Sequence, residues 1–134
     1  MNKKNRLVSL GYNGMPNGCD DDKLPWNRDL NSVNMDPLQT KYAYVCHAEM
    51  NAILNKTSYD LNGCTCFVLL FPCNECAKMI IQAGIERVVY LSDKYRDDYR
   101  FEAARKLFTM AGVKMVQYTP KRKQILIDFD TIPM

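Results

Sequence analysis

The sequence predicts an α/β fold in which helices cover a central sheet, and three observations carry that prediction. Cys64–Phe71 (Cys-Thr-Cys-Phe-Val-Leu-Leu-Phe) is an apolar run closed by Gly63 and Pro72, the pattern of a strand covered on both faces. Apolar residues recur at helical spacing after His47, and a second helical stretch runs from Cys73 through Ala83 to Gly84. In chain order the elements run strand, loop, helix, strand, helix, strand, helix, strand, strand, the order of a sheet layered with helices.

Each element has its own reason. Arg6–Leu10 reads as a strand ended by Gly11 and the turn-prone series Asn13-Gly14-Met15-Pro16-Asn17-Gly18. Met15 to Tyr44 has no hydrophobic period and is punctuated by Pro16, Pro25 and Pro37, so it is expected to be a long functional or subunit-covering loop. Met50, Ile53 and Leu54 define a helix from His47 to about Lys56. A helix from Cys73 to Ala83 follows the apolar strand. Arg87–Leu91 is predicted as a buried strand and Phe101–Met110 as a helix ended by Gly112. Val113–Tyr118 and Ile125–Phe129 are predicted as the last strands. No internal repeat or low-complexity tract is present.

Composition narrows the function. A chain of 134 residues is expected to be one domain, 1–134, with a single core. Eighteen basic against fifteen acidic residues leave a net charge of +3, too small to imply a nucleic-acid binder. No apolar stretch approaches the length of about 20 that crosses a bilayer, so no membrane partner is expected. Leu7–Leu10 is too short for an export core, and a cytoplasmic location is expected. In that compartment six cysteines read as metal ligands and buried thiols rather than disulfides.

Chemistry concentrates in two stretches, Cys46-His47-Ala48-Glu49 and Pro72-Cys73-Asn74-Glu75-Cys76. His47 offers an imidazole nitrogen; Cys73 and Cys76, on the first turn of a helix, offer two thiolates. Three such ligands suit zinc with its fourth tetrahedral position left open, the arrangement of a catalytic rather than a structural ion. Glu49, two residues past the histidine, is the natural proton carrier for a water at that position. His-x-Glu followed by Pro-Cys-x-x-Cys is the pattern of zinc-dependent nucleobase deaminases. Helix starts at both groups favour thiolate over thiol.

Other residues have blander readings. Cys46, Cys64 and Cys66 lie in apolar settings and read as core; Cys19 lies in a loop. Trp26, Tyr42 and Tyr44 read as anchors of the long loop, with an aromatic wall for a base as the sharper alternative. Lys121-Arg122-Lys123 reads as a solvated turn between two strands.

These residues resemble the cytidine/deoxycytidylate deaminase superfamily, and within it the deoxycytidylate (dCMP) deaminases. The resemblance runs from about Val8 to Phe129. Beside the metal motif it takes in Gly11-Tyr12-Asn13-Gly14-Met15-Pro16-Asn17-Gly18-Cys19, Tyr42 to Ile53, Phe71 to Lys78, Ser92-Asp93-Lys94-Tyr95 and Ile127-Asp128-Phe129-Asp130. The metal motif marks the superfamily; the Gly-Tyr-Asn-Gly turn and the long insert before His47 narrow it to the nucleotide-using branch. The resemblance implies a three-layer sandwich with a central mixed sheet and helices on both faces. It implies hydrolysis of dCMP to dUMP and ammonia, with dUMP feeding thymidylate synthesis. Zinc would be held by His47, Cys73 and Cys76, Glu49 would move the proton, and Asn13, Gly14, Ala48 and Tyr95 would contact the nucleotide. It also implies hexamers, activation by dCTP and inhibition by dTTP. The helix and strand that precede the segment matching Arg6–Leu10 in the family have no counterpart, which is expected to leave a buried sheet edge between that strand and Cys66–Phe71. Two other readings remain open at this point: a nucleic-acid cytosine or adenine deaminase, and an inactive, zinc-stabilised partner subunit.

Overall fold

A computed structural model describes residues 1–131. Its regular elements are α1 (Ala48–Leu54), β1 (Thr65–Leu70), α2 (Asn74–Gln82), β2 (Arg87–Ser92), α3 (Tyr99–Ala111) and β3 (Lys114–Gln117), with short 3-10 turns in the long loop and near the C-terminus. The α/β class is therefore the one the sequence predicts.

The three strands form one parallel sheet in the order β1-β2-β3, Cys66 lying opposite Val88 and Val88 opposite Met115. Parallel neighbours need a crossover, and each crossover here is a helix. Because such connections are right-handed, α2 and α3 fall on the same face, where they pack on one another. α1 lies against α2. Between the helices and the sheet sit Phe71, Ile80, Val88, Ala104 and Phe108, all buried. Phe71 meets Tyr90 and Phe108 edge to face, with ring centroids 4.9 and 5.9 Å apart. α3 is started by Asp98, whose side chain accepts from the Arg100 amide, and stopped by Gly112 at φ 73°, a left-handed position that favours glycine.

Several sequence expectations are corrected. Arg6–Leu10 is not a strand: it runs as irregular chain along α1, the Val8 carbonyl accepting from the Thr57 amide at 3.1 Å and the Ser9 hydroxyl donating to the Ala52 carbonyl. Ile125–Phe129 is not a strand either; its apolar side chains are exposed, Leu126 to 90%. Without them the sheet of the described residues is wholly parallel instead of mixed, and Lys121-Arg122-Lys123 does not join two strands. Nor is β1 covered on both faces, since Phe67 and Leu69 are 58% and 77% exposed. The edge expected to be buried is the outer edge of β1, which pairs with no further strand among the described residues. At its start Met1 and Thr65 exchange two hydrogen bonds of 2.8 Å.

Candidate active site

The site forms where the parallel strands end. Parallel α/β sheets collect ligands outside the carboxyl ends of their strands, because the loops leaving those ends enter helices. Here β1 runs through Phe71 and Pro72 into Cys73, the N-cap of α2, and Cys76 follows one turn later. β2 runs out through Asp93 into the loop carrying Tyr95. His47 is the N-cap of α1, with Glu49 in that helix's first turn. The helix starts anticipated from sequence are thus the places where the ligand side chains stand.

The spacing of those side chains fits a metal. Nδ1 of His47 lies 3.3 Å from Sγ of Cys76 and 3.6 Å from Sγ of Cys73, and the three ligand atoms all fall within 4.8 Å of one another. Bonds of about 2.1 Å to nitrogen and about 2.3 Å to sulfur at tetrahedral angles ask for ligand atoms about 3.5–3.8 Å apart. Among the described residues no other group of three or more histidine, cysteine or carboxylate side chains converges in this way.

Electrostatics agree with the geometry. Hydrogen bonding from Cys76, reinforced by His47, holds the Cys73 thiol well below the usual thiol range, which favours its thiolate. Cys76 keeps the shared proton: its bond to Cys73 pushes it up, with burial and the nearby Glu49 adding to the effect. His47 is raised, chiefly by its bond to Cys73. Burial raises Glu49, which holds a proton more readily than an ordinary carboxylate does. Cys66, pushed up to about 12 by burial, is an inert thiol packed against the core, and Cys64 is buried in the core itself.

The expected nucleotide-side residues are brought together in part. Oδ1 of Asn13 accepts from the Ala48 amide at 2.9 Å, so these two are in direct contact at the start of α1. Gly14 pairs with Cys46 through two backbone hydrogen bonds of 3.2 and 2.8 Å, one residue before His47. Asn51 Nδ2 donates to the Tyr12 carbonyl at 2.8 Å and secures the same turn. A Cβ at Gly11 would run into the Ala48 carbonyl and the Ala52 backbone, which is why this turn can lie so close to α1. Tyr95 stands apart on the β2–α3 loop, half exposed, beside Phe101 and under Lys94.

Of the loop aromatics, Trp26 donates to the Asp21 carbonyl at 3.2 Å and Tyr44 to the Leu38 carbonyl at 3.0 Å, both tying the loop to itself. Sequence reading missed Arg105. This α3 side chain reaches Asp93 and lies over the Phe71 ring, and helical spacing gave no hint of a partner twelve residues back. A cleft of about 460 Å³ between α1, α2 and the Tyr59–Asn62 turn is lined by none of the candidate site residues, so it is separate from this chemistry.

Comparisons with known proteins agree with the site. Residues 1–92 match the family described as the cytidine and deoxycytidylate deaminase zinc-binding region. The chain is 58% identical over 132 residues to mouse deoxycytidylate deaminase, covering 98% of itself and 72% of that protein. It is 48% identical to a probable deoxycytidylate deaminase of Drosophila melanogaster, covering 99% of itself and 66% of that protein. Among solved structures it resembles the dCMP deaminase of the cyanophage S-TIM5 in complex with dCMP and dUMP. The TM-score is 0.61 at 28% identity, over 87% of this chain and 76% of that one. The ligand spacing, the Glu49 beside it and the extent of these matches lead to one conclusion: the chain belongs to the cytidine and deoxycytidylate deaminase family.

Proposed function

We infer that the chain, as one deaminase domain, hydrolyses dCMP to dUMP and ammonia, with His47, Cys73 and Cys76 as zinc ligands and Glu49 as the proton carrier. The observation that carries this reading is the convergence of one imidazole and two sulfurs within 4.8 Å with Glu49 two residues along the same helix start. Zinc bound there would supply a water whose pKa falls from about 15.7 to about 7.

The chain's own residues do the rest. Glu49, raised by burial, takes one proton from the water and delivers it to the ring nitrogen, then takes the water's second proton and delivers it to the departing amine. A C4–O bond forms and the C4–N bond to the amine breaks, so water and dCMP balance dUMP and ammonia. The Asn13 carboxamide oxygen is engaged with Ala48, which leaves its NH2 group as the donor to the nucleotide. Gly14, held to Cys46, keeps that turn in place, and Tyr95 borders the substrate from the β2–α3 loop.

By likeness to the family the chain acts in the cytoplasm as a hexamer, activated by dCTP and inhibited by dTTP, and supplies dUMP for thymidylate synthesis. Among the described residues no helix is long and apolar enough to cross a membrane.

A nucleotide panel tests the reading. Ammonia release from dCMP, CMP, deoxycytidine, cytidine and a cytosine-containing single-stranded oligonucleotide is measured with and without dCTP. Turnover of dCMP with little from the oligonucleotide supports it; oligonucleotide turnover without dCMP turnover, or zinc-loaded protein inert toward the whole panel, overturns it.

A further inference from the structure

We propose that Arg105 is a positioning residue that holds the Tyr95 loop in register with the metal-binding end of β1. The inference rests on the substrate-bordering role given above to Tyr95, and it starts from three contacts of one guanidinium.

Nη2 of Arg105 forms an ion pair with Oδ1 of Asp93, and Nη1 donates to the Arg96 carbonyl at 3.3 Å. The two anchors bracket Tyr95, one two residues before it and the other one residue after. The same guanidinium lies 4.6 Å above the centroid of Phe71, the residue that leads through Pro72 into Cys73. One planar group thus clamps the ends of β1 and β2, from which the Cys73–Cys76 pair and the Tyr95 loop emerge.

This ion pair differs from the others. The side chains of Arg105 and Asp93 are 22% and 13% exposed, whereas in the other four pairs among the described residues each partner is 30% exposed or more. Solvated pairs order little, because water competes for both charges and the side chains remain free. A shielded guanidinium with three partners fixed by its fork geometry orders the backbone it touches. The loop also carries its own turns, Arg96 amide to Asp93 carbonyl at 3.1 Å and Asp98 amide to Tyr95 carbonyl at 3.0 Å. Those turns shape the loop; Arg105 attaches that shape to Phe71.

The zinc-loaded chain with Arg105→Met, Tyr95→Ala and the two combined forms a double-mutant cycle read in KM and kcat for dCMP, zinc content and thermal midpoint. Asp93→Asn, which keeps the side chain's size, is the second route to breaking the clamp should Arg105→Met fold poorly. Expected are full zinc content and a KM raised about 10–100-fold in Arg105→Met, with kcat changed much less. The doubly substituted chain should match Tyr95→Ala, since Arg105 acts through Tyr95. Arg105→Lys should not rescue, because an ammonium cannot span both Asp93 and the Arg96 carbonyl. Additive effects of the two substitutions, or an unchanged KM in both Arg105→Met and Asp93→Asn beside a raised KM in Tyr95→Ala, overturn the role of Arg105 alone. A normal KM in Tyr95→Ala removes Tyr95 from the substrate site and this proposal with it, while dCMP turnover by the unsubstituted chain keeps the deaminase reading intact.

Discussion

The two faces of one three-stranded sheet meet opposite conditions. Toward the helices, Cys66, Val68, Val88, Tyr90 and Met115 interleave with buried Ile80, Ala104 and Phe108. On the other face, Phe67, Leu69, Leu91 and Val116 lie exposed on the same strands, one residue out of phase. Strand alternation delivers apolar side chains to both faces; only crossover helices cover one of them. The covered face is also where the chemistry stands, because the helices that fill it begin with His47 and Cys73. Burial there does two jobs. It stabilises the fold, and it removes water from Glu49 so that its proton affinity rises.

The largest way to break this contrast is Cys76→Ala. Zinc held by three ligands contributes binding free energy to folding, on the order of 10 kcal/mol for complete sites. The variant is expected to retain little metal by elemental analysis and to lose the local fold. Full zinc occupancy would remove Cys76 from the ligand set. Next is Glu49→Gln, expected to keep its zinc and to lower kcat for dCMP by about 10²–10⁴, the range of a lost proton carrier. Near wild-type turnover would mean that another group moves the proton. Phe108→Ala empties a fully buried position between α3 and the sheet and is expected to cost about 3–5 kcal/mol in chemical denaturation. The smallest effect belongs to the open face: Leu69→Ser should shift stability by no more than about 0.5 kcal/mol, because the leucine is already in water. A loss of several kcal/mol there would show that something covers this face in solution.

Much of this was legible in the residues themselves. The ligand group needed only residue types and spacing, since a Cys-x-x-Cys pair at a helix start must place both sulfurs on one turn, and the chain has a single histidine to join them. The helix that ends at Gly112 was also readable, as was the strand before Pro72. The failures have one cause: Arg6–Leu10 and Ile125–Phe129 carry strand-like composition, but a strand exists only if a neighbour offers backbone groups to pair with. Local sequence cannot report that. Arg6–Leu10 instead spends its hydrogen bonds on α1 and Thr57.

By itself, then, the sequence determined which histidine and cysteines form the candidate donor set, that a carboxylate lies two residues from the histidine, and the alternation of strand and helix, because each follows from covalent spacing and local periodicity. The fold alone decided which face of the sheet is covered, that Asn13 closes on Ala48, and that Arg105 reaches Asp93 and Phe71. Those contacts join residues far apart along the chain. They depend on how parallel strands align and on where a crossover helix comes to rest, which are properties of the packed whole.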